Sequence, residues 1–390
     1  MVESSTGCKQ RFRRGCTTAL TDGHRVFRIL SRGGQTRWAA IGLAMVVAGL
    51  PAAAISRSAN APSGAAVGDE GWKAQRVEGR FRNPDGRGHP DVRAATMLAF
   101  YARRIRSSIL GHRGLPPARV RPDLDRLIAR EVDDPPTVTW IGHSTLLLHM
   151  SGISFLTDPI WSTTASPLPI GPRRYRKPAL PIRDLPRVAF ALVSHNHYDH
   201  MDLASLRSLA ATGTRIYVPL ANAEILRSAG IDDVTEFDWW QSIVLGPLTI
   251  TCVPAEHWSR RGLFDRDRSL WSGWVVRDRT KTFYFAGDTA MFPAFDRIRE
   301  RLGAPDLAAL PIGAYLPTEI MRSSHLDPEQ AVQAAQRLQA AHSLAIHYGT
   351  FDLSDEPIDE PPARFAAASE AAGRGADRDW IFAIGETRDW

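Results

Sequence analysis

The sequence predicts an α/β (α+β) fold of the αββα type, in which two mixed β-sheets pack together and are flanked by helices. Short β-rich runs, some alternating and some continuous, follow one another from Thr137 to the carboxyl end. Strands dominate in this part of the chain, and the helical patterns come late in each half. This order fits two sheets faced by helices better than a doubly wound parallel sheet.

The apolar periodicity assigns each element in turn. The predicted strands are Thr137–Met150, Ile153–Leu156, Val188–Val193, Arg215–Val218, Leu248–Val253, Gly273–Arg277, Thr282–Phe285, Leu307–Leu310, Leu344–Ile346 and Trp380–Ile384. The predicted helices are Leu203–Ala211, Ala221–Ala229, Ala294–Leu302, Pro328–Ala340 and Ala363–Ala372.

The positive charge of the chain is concentrated at its amino end. The 390 residues carry a formal net charge of +6, of which residues 1–60 contribute +7, so the remaining 330 sum to −1. A near-neutral body gives no reason to expect a nucleic-acid partner. A hydrophobic content of 44% and a charged content of 23% exclude a disordered, collagen-like or small disulfide-rich protein.

Residues 1–55 are predicted to form a basic leader followed by an apolar segment. Trp38–Ile55 contains no charged residue, and the positive charge before it predicts that the rest of the chain is exported. The segment fits either a signal peptide cleaved near Ala54 or a short membrane anchor. We therefore expect a protein at the periplasmic face of a membrane, anchored by residues 38–55, or a secreted one.

Three further segments follow the leader. Residues 56–90 are rich in Ser, Ala, Gly, Pro and Arg and predict a flexible linker. Residues 91–136 predict a helical extension, whose first helix either packs on the body or lies on a membrane surface. Residues 137–390 are predicted to form the catalytic domain.

Four potential metal ligands follow the predicted strand Val188–Val193 within six residues, namely His195, His197, Asp199 and His200. The chain has only three cysteines and no CxxC pair, so any metal must be held by imidazoles and carboxylates. His195 and His197 are two residues apart, and on an extended turn they can reach one metal. Asp199 and His200 lie past the bend and can reach a second.

Three more potential ligands each follow a predicted strand: His257, Asp288 and His347. A single histidine at a strand end is more often structural, but three such sites together with the cluster indicate a shared cleft. Strand ends at one edge of a sandwich can converge there, so the sequence predicts a metal centre at this edge.

The motifs that surround these residues resemble those of a known family. They include GRFRNPDG (79–86), TWIGHST (139–145), FLTDPIWS (155–162), LVSHNHYDHMD (192–202), FDWW (237–240), FAGDT (285–289), SSHLDPEQA (323–331) and AIHYGTF (345–351). H-x-H-x-D-H alone is typical of the whole metallo-β-lactamase fold. The ordered set resembles one branch, the N-acyl-phosphatidylethanolamine-hydrolysing phospholipase D family and its bacterial relatives.

The resemblance implies two Zn²⁺ per chain and a role for each site residue. It implies His195, His197 and His257 on one zinc, Asp199, His200 and His347 on the other, and Asp288 as a bridge that orients the nucleophile. It also implies that His325 faces the phosphate as a catalytic and substrate-binding residue and that Tyr198 contacts the phospholipid. Without the resemblance, His325 would be read as a surface-loop residue and Tyr198 as packing.

Two other residues, Asp158 and His143, are candidates to support the metal ligands from outside. Asp158-Pro159 equally suits a turn, and His143 equally suits a hydrogen-bonded core residue. Both alternatives stay open at this point.

The implied reaction is hydrolysis of N-acyl-phosphatidylethanolamine, or a related phospholipid, to phosphatidic acid and N-acylethanolamine by a hydroxide that the two zinc ions activate. The expected partners are the phospholipid and a membrane surface, and a homodimer is left open. The alternatives are a hydrolase of a lactone, an amide or a small phosphodiester, and a tethered binding protein with structural zinc. Di-iron oxidoreductases of the superfamily typically carry Glu where His197 stands, which disfavours that chemistry.

Overall fold

The computed structural model describes residues 72–84, 92–110 (108–110 by their backbone), 114–128, 130–168 and 171–390. The predictions for the leader and for residues 56–71 and 85–90 of the linker lie outside the described residues. Within these ranges, no helix combines the length and apolar character that crossing a membrane requires.

Sixteen strands lie in the described ranges. They are β1 (Arg76–Val77), β2 (Arg80–Phe81), β3 (Thr137–Gly142), β4 (Thr145–Met150), β5 (Ile153–Thr157), β6 (Val188–Leu192), β7 (Arg215–Pro219), β8 (Val234–Phe237), β9 (Ser242–Leu245), β10 (Leu248–Val253), β11 (Gly273–Arg277), β12 (Thr282–Phe285), β13 (Leu307–Pro311), β14 (His342–Ile346), β15 (Asp379–Trp380) and β16 (Thr387–Asp389).

The helices alternate with the later strands of each half. They are α1 (Ala94–Leu110), α2 (Leu124–Ile128), α3 (Leu203–Ala210), α4 (Ala223–Ser228), α5 (Ala294–Leu302), α6 (Thr318–Met321), α7 (Pro328–Leu338), α8 (Glu360–Ala371) and α9 (Gly375–Arg378), with a 3₁₀ turn at Ile182–Asp184.

Two seven-stranded mixed sheets form the body, in the orders β16-β3-β4-β5-β6-β7-β8 and β15-β14-β13-β12-β11-β10-β9. In the first sheet the pairs from β16 to β5 are antiparallel and those from β5 to β8 are parallel. The second sheet is antiparallel from β9 to β12 and parallel from β12 to β15. The predicted sandwich of two mixed sheets flanked by helices is confirmed.

This topology directs several strand ends to one edge. The two antiparallel pairings on either side of β11 give β10 the same direction as β12, and β14 is parallel to β12 through β13. The carboxyl ends of β10, β12 and β14 therefore lie at the same edge of the second sheet. These are the strands that precede His257, Asp288 and His347.

Aromatic side chains fill the space between the two sheets. Phe155 of β5 stacks on Phe190 of β6 with ring centroids 4.8 Å apart, and it meets Phe283 of the opposite sheet at 6.2 Å. All three side chains are fully buried. Close packing of this kind stabilises the fold because apolar surface is removed from water without leaving voids.

Replacement of Phe155 by alanine is expected to lower the free energy of unfolding by about 3–5 kcal/mol, because the change leaves a cavity between the sheets. Urea denaturation followed by circular dichroism measures the change. Val244→Ala is the matched control, because Val244 is 70% exposed. A loss for Phe155→Ala no larger than for the control would contradict the role of Phe155.

Several predicted elements differ from the observed ones. The run Thr137–Met150 is two strands rather than one, because Gly142 (φ 132°) and His143 (φ 56°) take up left-handed backbone at a tight turn. Of the predicted strand Trp380–Ile384 only Trp380 is in a strand, β15. The short strands β8, β9 and β16 were not predicted, since four or fewer residues are too few to establish a periodicity.

The predicted flexible linker 56–90 is wrong for residues 72–84, which the structure shows as a hairpin packed on the body. Trp72 and Phe81 are buried, and the Trp240 indole Nε1 donates to the Trp72 carbonyl at 3.1 Å. Asn83 of the same segment contacts a predicted ligand residue, because its Oδ1 accepts a hydrogen bond from the backbone N–H of His257 at 3.1 Å. This segment therefore supports the strand end from which a predicted metal ligand projects.

Helix α1 of the predicted extension 91–136 contacts the body through charged side chains. The Arg104 guanidinium pairs with Asp352 and Asp355 at 2.6 Å each, and Arg103 pairs with Asp355 at 2.7 Å. These contacts hold α1 against the loop that follows β14. The domain boundaries themselves stay a prediction.

Candidate metal centre

All seven predicted ligands lie together at the edge where the strands end. His195, His197 and His257 form one group, and Asp199, His200 and His347 belong to another, with the ligand atoms of each group within 4.8 Å of one another. Asp288 groups with His195 and His200 and also with His257 and His325.

The first group consists of three imidazoles directed at one point. Nδ1 of His197 lies 2.8 Å from Nε2 of His195 and 3.3 Å from Nε2 of His257. Burial lowers the pKa of His197 to about 4, and it lowers the pKa of His195 and of His257 well below the ordinary value. All three rings are therefore neutral at pH 7, which is the form that binds a metal.

The second group combines two imidazoles with a carboxylate. Oδ2 of Asp199 lies 3.2 Å from Nε2 of His200 and 3.5 Å from Nε2 of His347. Burial opposes charge on Asp199, but the neighbouring imidazoles of His200, His143 and His347 outweigh it and hold the pKa of Asp199 well below its usual range. The carboxylate is ionised and provides a hard oxygen ligand.

Asp288 stands between the two groups. Its Oδ2 lies 3.1 Å from Nε2 of both His200 and His347, 3.8 Å from Nε2 of His257 and 4.0 Å from Nε2 of His195. The His200 and His347 side chains overcome burial and hold the pKa of Asp288 well below its usual range. One ionised carboxylate thus reaches both imidazole groups, as a bridging ligand must.

Orphaned polar atoms show that these side chains fit metal ions. Among the residues that the structure describes, His200 Nε2, His347 Nε2 and Asp288 Oδ1 are buried without a hydrogen-bond partner. A buried polar atom without a partner costs free energy, and a coordinated cation would remove that cost. Nitrogen and carboxylate donors without a thiolate suit a borderline divalent ion such as zinc, although other first-row metals accept the same set.

The comparisons with known proteins agree with this geometry. Residues 154–348, half of the chain, match the family model described as Beta-lactamase superfamily domain. This chain belongs to the beta-lactamase superfamily. The predicted family resemblance is therefore confirmed.

Individual relatives point to hydrolases. N-acyl-phosphatidylethanolamine-hydrolyzing phospholipase D 1 of Caenorhabditis elegans is 41% identical over 228 residues, which cover 55% of this chain and 64% of that protein. A UPF0173 metal-dependent hydrolase of Methanopyrus kandleri is 28% identical over 241 residues, 60% of this chain and 92% of the relative. The match thus spans less than two thirds of the phospholipase D relative.

Among solved structures, Igni18, a metallo hydrolase from Ignicoccus hospitalis, superposes with a TM-score of 0.52 at 24% identity. The superposition covers 66% of this chain and 99% of Igni18. At this identity the likeness shows the fold alone.

Asp158 holds one of the predicted ligands, His200, in place from outside the predicted centre, as one of the two alternatives for this residue expects. Its Oδ2 accepts from Nδ1 of His200 at 2.6 Å, and its two oxygens accept from the backbone N–H and the hydroxyl of Ser194 at 2.6 Å each. A hydrogen bond at Nδ1 leaves Nε2 of His200 turned toward Asp199 and Asp288. Asp158 therefore sets both the tautomer and the direction of His200.

His143 also touches the ligand set rather than the apolar core. Its Nε2 lies 3.0 Å from Oδ2 of Asp199, and its ring centroid is 4.3 Å from that of His347. Burial lowers the pKa of His143 to about 3, so the ring is neutral and donates a hydrogen bond to Asp199. The hydroxyl of Thr350 accepts from the backbone N–H of His143 at 2.8 Å and holds the turn in place.

We expect His143→Ala to weaken the binding of one of two metal ions by about 10- to 100-fold, because Asp199 loses the hydrogen bond that orients it. His143→Gln retains a donor and is expected to restore part of the affinity. Metal content after competition with a chelator measures the effect. His149→Ala is the control, since His149 is also buried but bonds Ser154. Unchanged affinity in His143→Ala would rule out this role.

His325 lies at the mouth of the centre. It follows α6 and precedes Asp327, which caps α7, and its side chain is 12% exposed compared with 2% for Asp288. Its Nδ1 lies 3.9 Å from Oδ2 of Asp288. Burial lowers the pKa of His325 to about 4, so a neutral imidazole faces the space next to the predicted ligands.

Tyr198 is held against a neighbouring loop. Its hydroxyl donates to the Arg261 carbonyl at 2.8 Å, and the Arg261 guanidinium stands 4.1 Å from the centre of its ring. These contacts give Tyr198 a structural role in the metal-ligand loop, the segment 194–202 that carries four of the predicted ligands. Its predicted contact with substrate stays a prediction.

The sequence analysis did not identify two residues that hold the ligand-bearing loops in place. Asn83 holds the backbone of His257, and Arg261 donates to the carbonyls of Asn196 and Met201 at 2.9 and 2.8 Å. Asn83 lies in the quoted motif GRFRNPDG, which was a signal for it. No pattern in the sequence connects Arg261 with the ligand loop.

A cavity of about 360 Å³ lies beside the centre. Its lining includes His143 and His347 as well as Arg103 and Arg104 of α1. Small-molecule sites have volumes of about 300–1,000 Å³. Helix α1 therefore forms part of the wall of a chamber that could hold a polar group next to the predicted ligands.

Proposed function

We propose that this protein is a metal-dependent phosphodiesterase of the phospholipase D type, which hydrolyses N-acyl-phosphatidylethanolamine or a related phospholipid. The products are phosphatidic acid and an N-acylethanolamine. The observation that carries the proposal is the single Asp288 oxygen within 3.1–4.0 Å of imidazoles from both groups. The 41% identity to the Caenorhabditis elegans phospholipase D supports the choice of substrate.

We propose two Zn²⁺ ions as the cofactor, held by the seven residues in the arrangement that the resemblance implies. Six nitrogen and carboxylate ligands around one shared carboxylate leave positions open for substrate, whereas a structural zinc site is closed by four protein ligands. Bound divalent ions supply Lewis acidity and a nucleophilic water at neutral pH. This arrangement argues against a tethered binding protein.

The residues of the chain have distinct tasks in this reaction. Asp288 is ionised and lies at the centre, where it can accept a hydrogen bond from the attacking water and align it with phosphorus. Water adds to phosphorus, the bond from phosphorus to the ethanolamine oxygen breaks, and that oxygen takes up a proton. His325, neutral and at the mouth, is placed to donate a hydrogen bond to a phosphoryl oxygen, and the proton that the leaving oxygen takes up is the one that the attacking water gives up.

The same centre is compatible with a lactone, an amide or a small phosphodiester as substrate, since metal ions held by these ligands would polarise the oxygen of any of them. A panel of purified substrates tests the choice. The full chain is expected to release N-acylethanolamine from N-acyl-phosphatidylethanolamine faster than it opens a lactone or cleaves an aryl phosphodiester. Turnover of the lactone alone would overturn the phospholipase assignment.

We also propose that the leader exports the protein and leaves it at a membrane, where its substrate is found. The uncharged segment 38–55 and the basic residues before it support this location. Membrane fractionation of producing cells, with protease added from the outside, tests it. Protection of the body in intact spheroplasts would contradict export.

A further inference from the structure

The loop from Trp258 to Arg268 ends in an exposed apolar tip. Phe264 is 82% exposed, more than any other large hydrophobic residue of the described chain, and its neighbour Leu263 is 49% exposed. A single exposed apolar residue is ordinary. Leu263 and Phe264 differ from such isolated residues because their loop has a defined shape, a fixed position and a positive charge.

The tip is held in a defined shape by its own polar groups. The Asp265 carboxylate accepts from the backbone N–H of Gly262 at 2.8 Å and of Arg261 at 3.1 Å. The Arg260 guanidinium donates to the carbonyls of Gly262 at 2.8 Å and Leu263 at 3.4 Å. Backbone groups that are satisfied internally can enter an apolar phase at low cost.

The base of the loop is attached to the metal-ligand loop. Arg261 donates to two carbonyls there and stacks on Tyr198, and Oδ1 of Asn196 accepts from the backbone N–H of Arg260 at 2.9 Å. The ring of Trp258 lies 4.3 Å from that of His197. The tip therefore has a fixed position relative to the predicted centre.

Positive charge surrounds the tip. Residues 258–268 contain four arginines and two aspartates, a net charge of +2. Helix α1 lies near this loop, because Tyr101 is close enough to interact electrostatically with Arg266, and Arg106 on the same helix is exposed. Basic residues near an anionic lipid surface each contribute about 1 kcal/mol of attraction.

We propose that Leu263 and Phe264 insert into the surface of an anionic phospholipid bilayer and seat the metal centre over its substrate. The proposal rests on the proposed phospholipid function and names the element that contacts the membrane. A second copy of this chain fits less well, because a symmetric contact would bring the same arginines together.

A fluorescent label tests the contact directly. The full chain carrying Cys8→Ser, Cys16→Ser and Leu263→Cys is labelled with the polarity-sensitive dye NBD. The remaining Cys252 is buried, and burial raises the pKa of its thiol, so it does not react. Vesicles of equal parts phosphatidylcholine and phosphatidylglycerol should shift the emission to the blue and raise its intensity several-fold, whereas pure phosphatidylcholine should give a smaller change.

Two variants make the test specific. Adding Phe264→Ser should weaken the vesicle response by about tenfold, because one large apolar side chain is lost from the contact. Label at Val244→Cys should not respond, because Val244 pairs with Thr249 at the beginning of β10, whereas His257 follows its end. This control also separates insertion of the tip from anchoring of the chain by residues 38–55.

The outcomes are distinct. No response at position 263, or an equal response at Val244→Cys, overturns the proposal. If the emission shifts to the blue without vesicles when the protein concentration is raised, the tip contacts a second copy of the chain, and the proposal is overturned. Turnover of N-acyl-phosphatidylethanolamine is measured alongside. Insertion without turnover would support the membrane contact and overturn the proposed function. Turnover without insertion would support the proposed function and overturn the membrane contact.

Discussion

His197→Ala is expected to lose at least one of the two proposed metal ions and nearly all hydrolysis. Nδ1 of His197 is 2.8 Å from Nε2 of His195 and 3.3 Å from Nε2 of His257, so its loss removes one of three imidazoles from one predicted site. Activity should fall by about a thousandfold or more, a loss of about 4 kcal/mol of transition-state stabilisation. Elemental analysis should find at most one ion per chain where the unaltered protein holds two.

A matched histidine variant serves as the control for this change. His342 lies on β14 but stacks on Trp380, away from the metal centre, so His342→Ala should keep both ions and full activity. Circular dichroism and thermal unfolding of both variants separate a lost metal from a lost fold. A folded His197→Ala protein that retains two ions and full turnover would refute the predicted ligand.

His325→Ala is expected to slow turnover by about 10²–10³-fold, the range for loss of one hydrogen-bond donor to the charge that develops in the transition state. Its metal content should stay at that of the unaltered protein, because the side chain lies at the mouth and its Nδ1 is 3.9 Å from the Asp288 carboxylate. Most of the effect should fall on kcat, since the group acts on the reacting oxygens. His325→Gln, which keeps a donor, should recover part of the rate.

Metal analysis decides between the two roles available to His325. His257, Asp288 and His325 are close enough for all three to hold one ion. If His325→Ala loses an ion together with its activity, the residue is a ligand and the assignment to substrate is wrong. If metal and rate are both unchanged, His325 takes no part in the reaction.

Much of the fold was predictable because burial leaves a local pattern. Strands such as Leu248–Val253 and Gly273–Arg277 have the bounds that the sequence predicts, since alternating or continuous apolar runs mark buried strands. The ligand-type residues were also predictable, because each follows such a strand and H-x-H-x-D-H is a local motif. Convergence at one edge follows once β10, β12 and β14 run in the same direction.

Other features depend on contacts between distant parts of the chain. The amino-terminal hairpin looked like a linker because Trp72 and Phe81 are isolated apolar residues, and only the body gives them a surface to cover. Asn83 meets His257 across 174 positions. Such contacts are set by how sheets and loops pack, which periodicity within one segment does not encode.

Local residue types thus specified most of the strands and helices and the identity of the seven potential ligands. The tertiary structure alone brought His143 to within 3.0 Å of Asp199, locked Tyr198 under Arg261 and held Phe264 in solvent. The physical reason is that a side chain's type fixes which bonds it can form. Its partner depends on which backbone segments the packed sheets place beside it.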